Sequence, residues 1–117
     1  MDTEAEIGIL THIGDTGADD LVALLERLTD DPGYLPHYGL LTDLSRCRLL
    51  LTPSELGELA ERYEAILGGR LIRSAILVDG TRETALSMLY ERCRERRREI
   101  AVFSSRESAL AFLRGED

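Results

Sequence analysis

The sequence alternates, four times over, between a short apolar run and a stripe of helical spacing. The runs are Ile7-Gly8-Ile9-Leu10-Thr11-His12-Ile13, Tyr38-Gly39-Leu40-Leu41-Thr42-Asp43-Leu44, residues 71–78 ending in Ala75-Ile76-Leu77-Val78, and Glu99-Ile100-Ala101-Val102-Phe103. Runs this short and this apolar read as strands buried on both faces. Between them, Leu21, Leu24, Leu25 and Leu28 recur at i, i+3, i+4 and i+7, and Leu56, Leu59, Ala60, Tyr63, Ile66 and Leu67 keep the same period. A third helix is expected from about Arg82 to Arg97, and a fourth carries Ala109, Leu110, Phe112 and Leu113 on one face. The order β-α-β-α-β-α-β-α demands helices against a mainly parallel sheet of four to five strands, an α/β fold. Its crossovers should be right-handed, and its binding crevice should lie beyond the carboxyl ends of the strands. Those ends carry Asp43, Asp79 and Ser104.

Local signals place the boundaries. Thr52-Pro53-Ser54-Glu55 has capping-box form, with Thr52 as N-cap, Pro53 at the first helical position and Glu55 closing the box. Thr16-Gly17-Ala18-Asp19 has the same form, with Thr16 as the expected N-cap after a Gly14-Asp15 turn. Asp30-Asp31-Pro32-Gly33 and Gly68-Gly69 end helices. No repeat or linker divides the 117 residues, so a single domain is expected, with its core over about residues 7–114.

Charge narrows the partners. Net charge is −8 and every basic residue is Arg. A nucleic acid or an anionic membrane would be repelled on average, so neither is an expected partner. No apolar run approaches the ~18–20 residues that span a bilayer, and the acidic start Asp2-Thr3-Glu4-Ala5-Glu6 does not look like a secretory signal. Cys47 and Cys93 stand far apart and read as reduced thiols in a cytoplasmic protein.

Four segments together resemble a known family: the strand ending Asp43-Leu44-Ser45, the Thr52-Pro53-capped helix, the strand of Arg-x-Ala-Ile-Leu-Val kind over residues 73–78, and Val102-Phe103-Ser104-Ser105-Arg106-Glu107 opening the last helix. They look like the STAS/CRAL-TRIO-like family of small bacterial proteins, and the Asp31-Pro32-Gly33-Tyr34 loop also fits. The resemblance implies a mixed sheet flanked by helices, as in anti-sigma-factor antagonists, and a non-enzymatic regulatory or protein-binding role. Its CRAL-TRIO side implies a second reading, a small-molecule or lipid carrier with an apolar cavity between sheet and helices. Members usually open with an extra strand. Only six residues precede Ile7, so an exposed sheet edge and self-association are expected. In the antagonists a phosphorylatable Ser opens the second helix. Here Ser45, Thr52 and Ser54 are the candidate phospho-switch or partner-binding residues, with Ser54 nearest the matching position. A phosphate there would meet free backbone N–H groups, although Glu55 beside it would repel the added charge.

Other motifs weigh less. Gly14-Asp15-Thr16-Gly17-Ala18-Asp19-Asp20 looks like the active-site segment of retroviral-type aspartic proteases, in which two carboxylates share a proton. The helical stripe after it argues against that all-β fold and for a turn and helix start. A hydrolase using Asp15, Asp43 or a His therefore ranks third. His12 and His37 do not form a metal-ligand spacing, no phosphate-binding Gly loop occurs, and no cofactor is expected. The cluster Arg92, Arg94, Arg96, Arg97 and Arg98, interleaved with Glu91, Glu95 and Glu99, reads as cations complementing a helix C-terminus. Arg94, Arg97 and Arg98 would otherwise form a patch for an anion or an acidic partner.

Overall fold

The computed structural model describes residues 6–68, 70, 72–93 and 99–115. Its elements run β1 (Ile7–Thr16), α1 (Ala18–Thr29), β2 (Gly39–Leu49), a single 3-10 turn (Pro53–Glu55), α2 (Leu56–Leu67), β3 (Arg73–Leu77), α3 (Thr81–Cys93), β4 (Glu99–Phe103) and α4 (Arg106–Leu113). The four strands form one sheet in the order β1-β2-β3-β4, every pair parallel. The expected β/α alternation is therefore present. The mixed sheet implied by the family resemblance is not: all four described strands run the same way.

That strand order dictates where the helices go. Right-handed crossovers between successive neighbours place every connecting helix on one side. Accordingly α1, α2 and α3 share one face, where Leu21, Val22, Leu25, Leu56, Leu59, Tyr63 and Leu86 close over Leu10, Leu40, Leu44 and Ile76. Among the described residues no strand follows β4, and α4 folds back onto the opposite face. There Ala109 packs on Ile7, Leu41, Ala75 and Leu77, flanked by Leu110, Phe112 and Leu113. Arg73 ties α4 down by donating to the Phe112 carbonyl at 2.7 Å. Consecutive apolar residues such as Leu40-Leu41 and Ala75-Ile76-Leu77 are needed because these stretches of β2 and β3 are covered on both sides.

Two glycines fix the shape of β1. A Cβ on Gly8 would lie 2.5 Å from the Tyr34 ring and 2.8 Å from Leu28, so the loop after α1 can close only over a bare backbone. Gly14 has φ +78°, and with it the strand continues beyond the turn expected at Gly14-Asp15, as far as Thr16. The start of α1 is corrected with it. Gly17, not Thr16, is the N-cap, and its N–H is accepted by Asp20 Oδ2 at 2.9 Å, one residue later than the Thr16/Asp19 box predicts. Thr16 stays in the strand because its carbonyl accepts from Leu50 N–H at 2.8 Å. The Thr52 signal holds at the 3-10 turn that leads into α2: Thr52 is the N-cap of that turn, and Glu55 Oε1 accepts from its N–H at 2.9 Å.

β1 and β2 outrun β3 and β4. The five-residue strands β3 and β4 end level with Asp43, whereas β2 continues to Leu49. On the way Leu44 and Ser45 both stand opposite His12, a bulge in β2. The projecting ribbon buries His12, Thr16 and Leu49 on the helix side and exposes Thr11, Ile13, Asp15, Arg46 and Arg48 on the other.

Candidate functional site

Two polar regions lie beyond the short strands. The first is centred on Asp43, which is buried on the α4 side of β2. Its Oδ1 accepts from Ser45 N–H (2.9 Å) and Ser45 Oγ (2.6 Å), a geometry that the bulge makes available. Its Oδ2 accepts from Arg106 at 3.1 Å, across the ends of β3 and β4. Burial alone would raise the Asp43 pKa, but the Ser45 bonds and the Arg106 charge together outweigh it and hold the carboxyl below its ordinary range. Asp43 is thus a satisfied anion and not a proton carrier near neutrality. Of the predicted crevice residues, Asp79 and Ser104 are exposed and take no part in this cluster. Ser45 joins Asp43 instead of Thr52 and Ser54, which lie at the start of α2.

The second region is a groove of about 530 Å³ at the amino ends of α1 and α2. Asp19, Asp20, Glu55 and Glu58 wall it, Leu50 and Leu59 give it an apolar floor, and Arg62 is the one cation among the described residues that line it. Each carboxylate sits in a first helical turn, where the helix dipole favours it. Glu55 is held below the ordinary carboxylate range by the Thr52 N–H and then by the Thr52 hydroxyl. Arg62 spans the groove to Asp19 at 2.9 Å, and Tyr63 Oη donates to the Leu21 carbonyl, so α1 and α2 are pinned side by side. Thr52 and Ser54 are exposed beside Glu55, their hydroxyls 3.0 Å apart.

Residues that sequence patterns alone passed over build this groove. Arg82 donates to the Leu49 and Leu51 carbonyls, and buried Glu83 accepts from Leu49 N–H at 3.3 Å. Held from α3 on either side of it, the strand end turns Leu49 and Leu51 inward and leaves Leu50 49 % exposed. The run Leu49-Leu50-Leu51 by itself reads as uniform core.

Between the sheet and α1–α3 lies an apolar cavity of about 40 Å³, bordered by Leu44, Ile76, Leu86, Tyr90 and Ser87 among others. Ser87 Oγ is buried there without a hydrogen-bond partner. This is where the carrier reading wants a cavity, but it is far below the roughly 300–1,000 Å³ of small-molecule sites.

The residues named for hydrolysis do not converge. Asp15 is exposed on the ribbon, Asp43 is bound on the α4 side, His12 is buried on the helix side, and His37 is at the amino end of the sheet, 3.4 Å from Glu6. Burial lowers the His12 pKa against the raising effect of Asp20 and then Asp43, and its Nε2 has no partner. Burial raises the Cys47 thiol, with Glu83 and Asp43 adding to the effect against a bond with Thr16, so no thiolate nucleophile forms there. The segment after the protease-like string is helix α1, which removes the aspartic-protease reading. Among the described residues no three His, Cys, Asp or Glu side chains are grouped to hold a metal, and no helix is long and apolar enough to cross a membrane. Arg94, Arg97 and Arg98 lie outside the described residues.

No family model matches the sequence, and no curated protein does. Among solved structures, a match covers 90 % of this chain and 82 % of an uncharacterized protein of the DUF3478 family from Shewanella loihica PV-4, at 17 % identity and a TM-score of 0.59. That protein has a SpoIIAA-like fold, the fold of the anti-sigma-factor-antagonist resemblance. The chain is thus similar to that protein in architecture, and its fold is a STAS-like α/β sandwich.

Proposed function

We propose that the chain is a non-enzymatic protein-binding module of STAS-like type whose docking surface is the acidic groove between α1 and α2. The observation that carries this reading is Leu50, an apolar side chain half exposed on a floor walled by four carboxylates. Leaving it open to water wastes apolar area that a partner would cover, and the carboxylates select a partner segment with Arg or Lys around one apolar anchor. The free thiols Cys47 and Cys93 fit a reducing compartment such as the cytoplasm. Ser54 supplies a regulatory arm: a phosphate there would add negative charge beside Glu55 and strengthen the groove's preference for a basic partner.

The test is binding of a labelled peptide that places one Leu between Arg residues, followed by fluorescence anisotropy. Binding should weaken with salt, weaken at least about tenfold in Leu50→Asp, a loss of about 1.4 kcal/mol, and weaken similarly in Glu58→Arg. Equal binding by all three proteins would remove the groove from the reading. The carrier reading keeps the apolar cavity as its one support, and a co-purified small molecule detected by native mass spectrometry would revive it.

A further inference from the structure

We propose that the outer edge of β1 is a homodimer interface, in which two copies of this chain pair β1 with β1 antiparallel about a two-fold axis at Thr11 and join their sheets into one. The proposal is independent of the groove. Among the described residues β1 has a strand on one side only, and its ten residues hold no Pro and no Asp, Glu, Lys or Arg before Asp15. Edges of that length are ordinarily blunted by charge, Pro or shortening, as β4 is at five residues.

The direction of the free backbone groups limits the register, and the side chains choose within it. Glu6 and Thr16 both turn their carbonyls to β2, accepting from Gly39 and Leu50 N–H. Backbone groups alternate sides along a strand, so the even-numbered residues face β2 and Ile7, Ile9, Thr11 and Ile13 face outward. An antiparallel partner bonds only to outward-facing residues, and outward must meet outward. The axis must then fall on a residue and not between two, and Thr11 is the residue about which the outward side chains match. On Thr11 it sets Thr11 against itself and Ile9 against Ile13 of the partner subunit.

The side chains agree with that register. In Gly8-Ile9-Leu10-Thr11-His12-Ile13-Gly14 the outward pair matches Ile with Ile and the flanking pair Gly with Gly about Thr11, while Leu10 meets His12 among side chains buried on the helix side. A two-fold interface must be self-complementary, and this segment is. Ile13, 69 % exposed, shows more of itself than any other large apolar side chain described, and Ile9 is half-buried. Each covers the other across the axis, in aliphatic cross-strand pairs.

The experiment uses the full chain in a Cys93→Ser background. Hydrogen-bonded antiparallel pairs hold Cα atoms about 5.5 Å apart, within the ~4.4–6.8 Å that a disulfide accepts. Thr11→Cys should therefore form a covalent dimer under mild oxidation at least about tenfold faster than Ala23→Cys on the exposed side of α1. Light scattering should give a dimer mass at high concentration, and Ile13→Lys, with its circular dichroism unchanged, should weaken the dimer about tenfold or more. A monomer at every concentration, equal cross-linking rates for the two cysteine variants, a dimer indifferent to Ile13→Lys, or β1 pairing with a foreign extended peptide in place of itself would each overturn the proposal.

Discussion

The two faces of the sheet are built differently. One carries three helices and a continuous core from Leu10 and Leu40 out to Leu67 and Tyr90. The other carries the eight residues of α4 over a much smaller cluster around Leu41 and Ala109. The inequality follows from topology: strands in chain order put every crossover on one side, and only the last helix is left for the other. The thin face therefore has room for a buried carboxylate, a bulge and a bare ribbon, while the thick face supplies most of the stability.

Substitutions can break that contrast. Leu40→Ala, on the thick face at 0 % exposure, should cost about 2–5 kcal/mol in urea unfolding. Leu110→Ala, half-covered on the thin face, should cost roughly 1–2 kcal/mol. Equal losses would mean that α4 matters as much as the three-helix layer. Gly8→Ala should cost about 1–3 kcal/mol, because the Tyr34 ring has to move, and the near-ultraviolet circular dichroism of Tyr34 should change with it. Asp43→Ala should cost about 1–3 kcal/mol by stripping Ser45 N–H of its acceptor, whereas Arg106→Ala, on the half-exposed partner, should cost under about 1 kcal/mol. Ser87→Ala should be neutral or slightly stabilising, since its hydroxyl is buried beside an apolar cavity with no partner.

Acid titration separates the faces again. Asp43 has a folded pKa below its unfolded value, so its contribution is complete above the ordinary carboxylate range and is lost as pH falls through the folded pKa. His12 is a base with a lowered folded pKa. It favours the folded state above about pH 6.5, and that advantage declines as pH drops toward its folded value. Thermal melts should thus weaken first as pH falls below about 6.5, through His12, and His12→Phe should flatten that limb while leaving the lower Asp43 limb in place.

Much of this was legible in the residues, for identifiable reasons. Unbroken apolar runs and helical stripes report burial on two faces and on one, so the element order followed. β4 has the expected limits, Glu99–Phe103, with the bend at Ser104 after it. The cap at α1 slipped by one residue because Asp19 and Asp20 stand side by side, and only the long-range Thr16–Leu50 bond decides between them. The extension of β2 was missed because Ser45-Arg46-Cys47-Arg48 exposes its polar half on a bare face. The groove was harder still. Its floor depends on Arg82 and Glu83 reaching more than thirty residues back to Leu49, and Asp43 meets Arg106 across 63 positions. Spacing along a chain carries no record of such meetings.

The sequential strand order also bears on how the protein is made. Each strand emerging from the ribosome finds its neighbour already in place, so β1-α1-β2 can dock before β3 exists and no strand has to be threaded between two others. Assembly by accretion of this kind needs mostly short loop closures, which favours rapid folding during synthesis. It leaves α4, which emerges after all four strands, as the element that seals the second face.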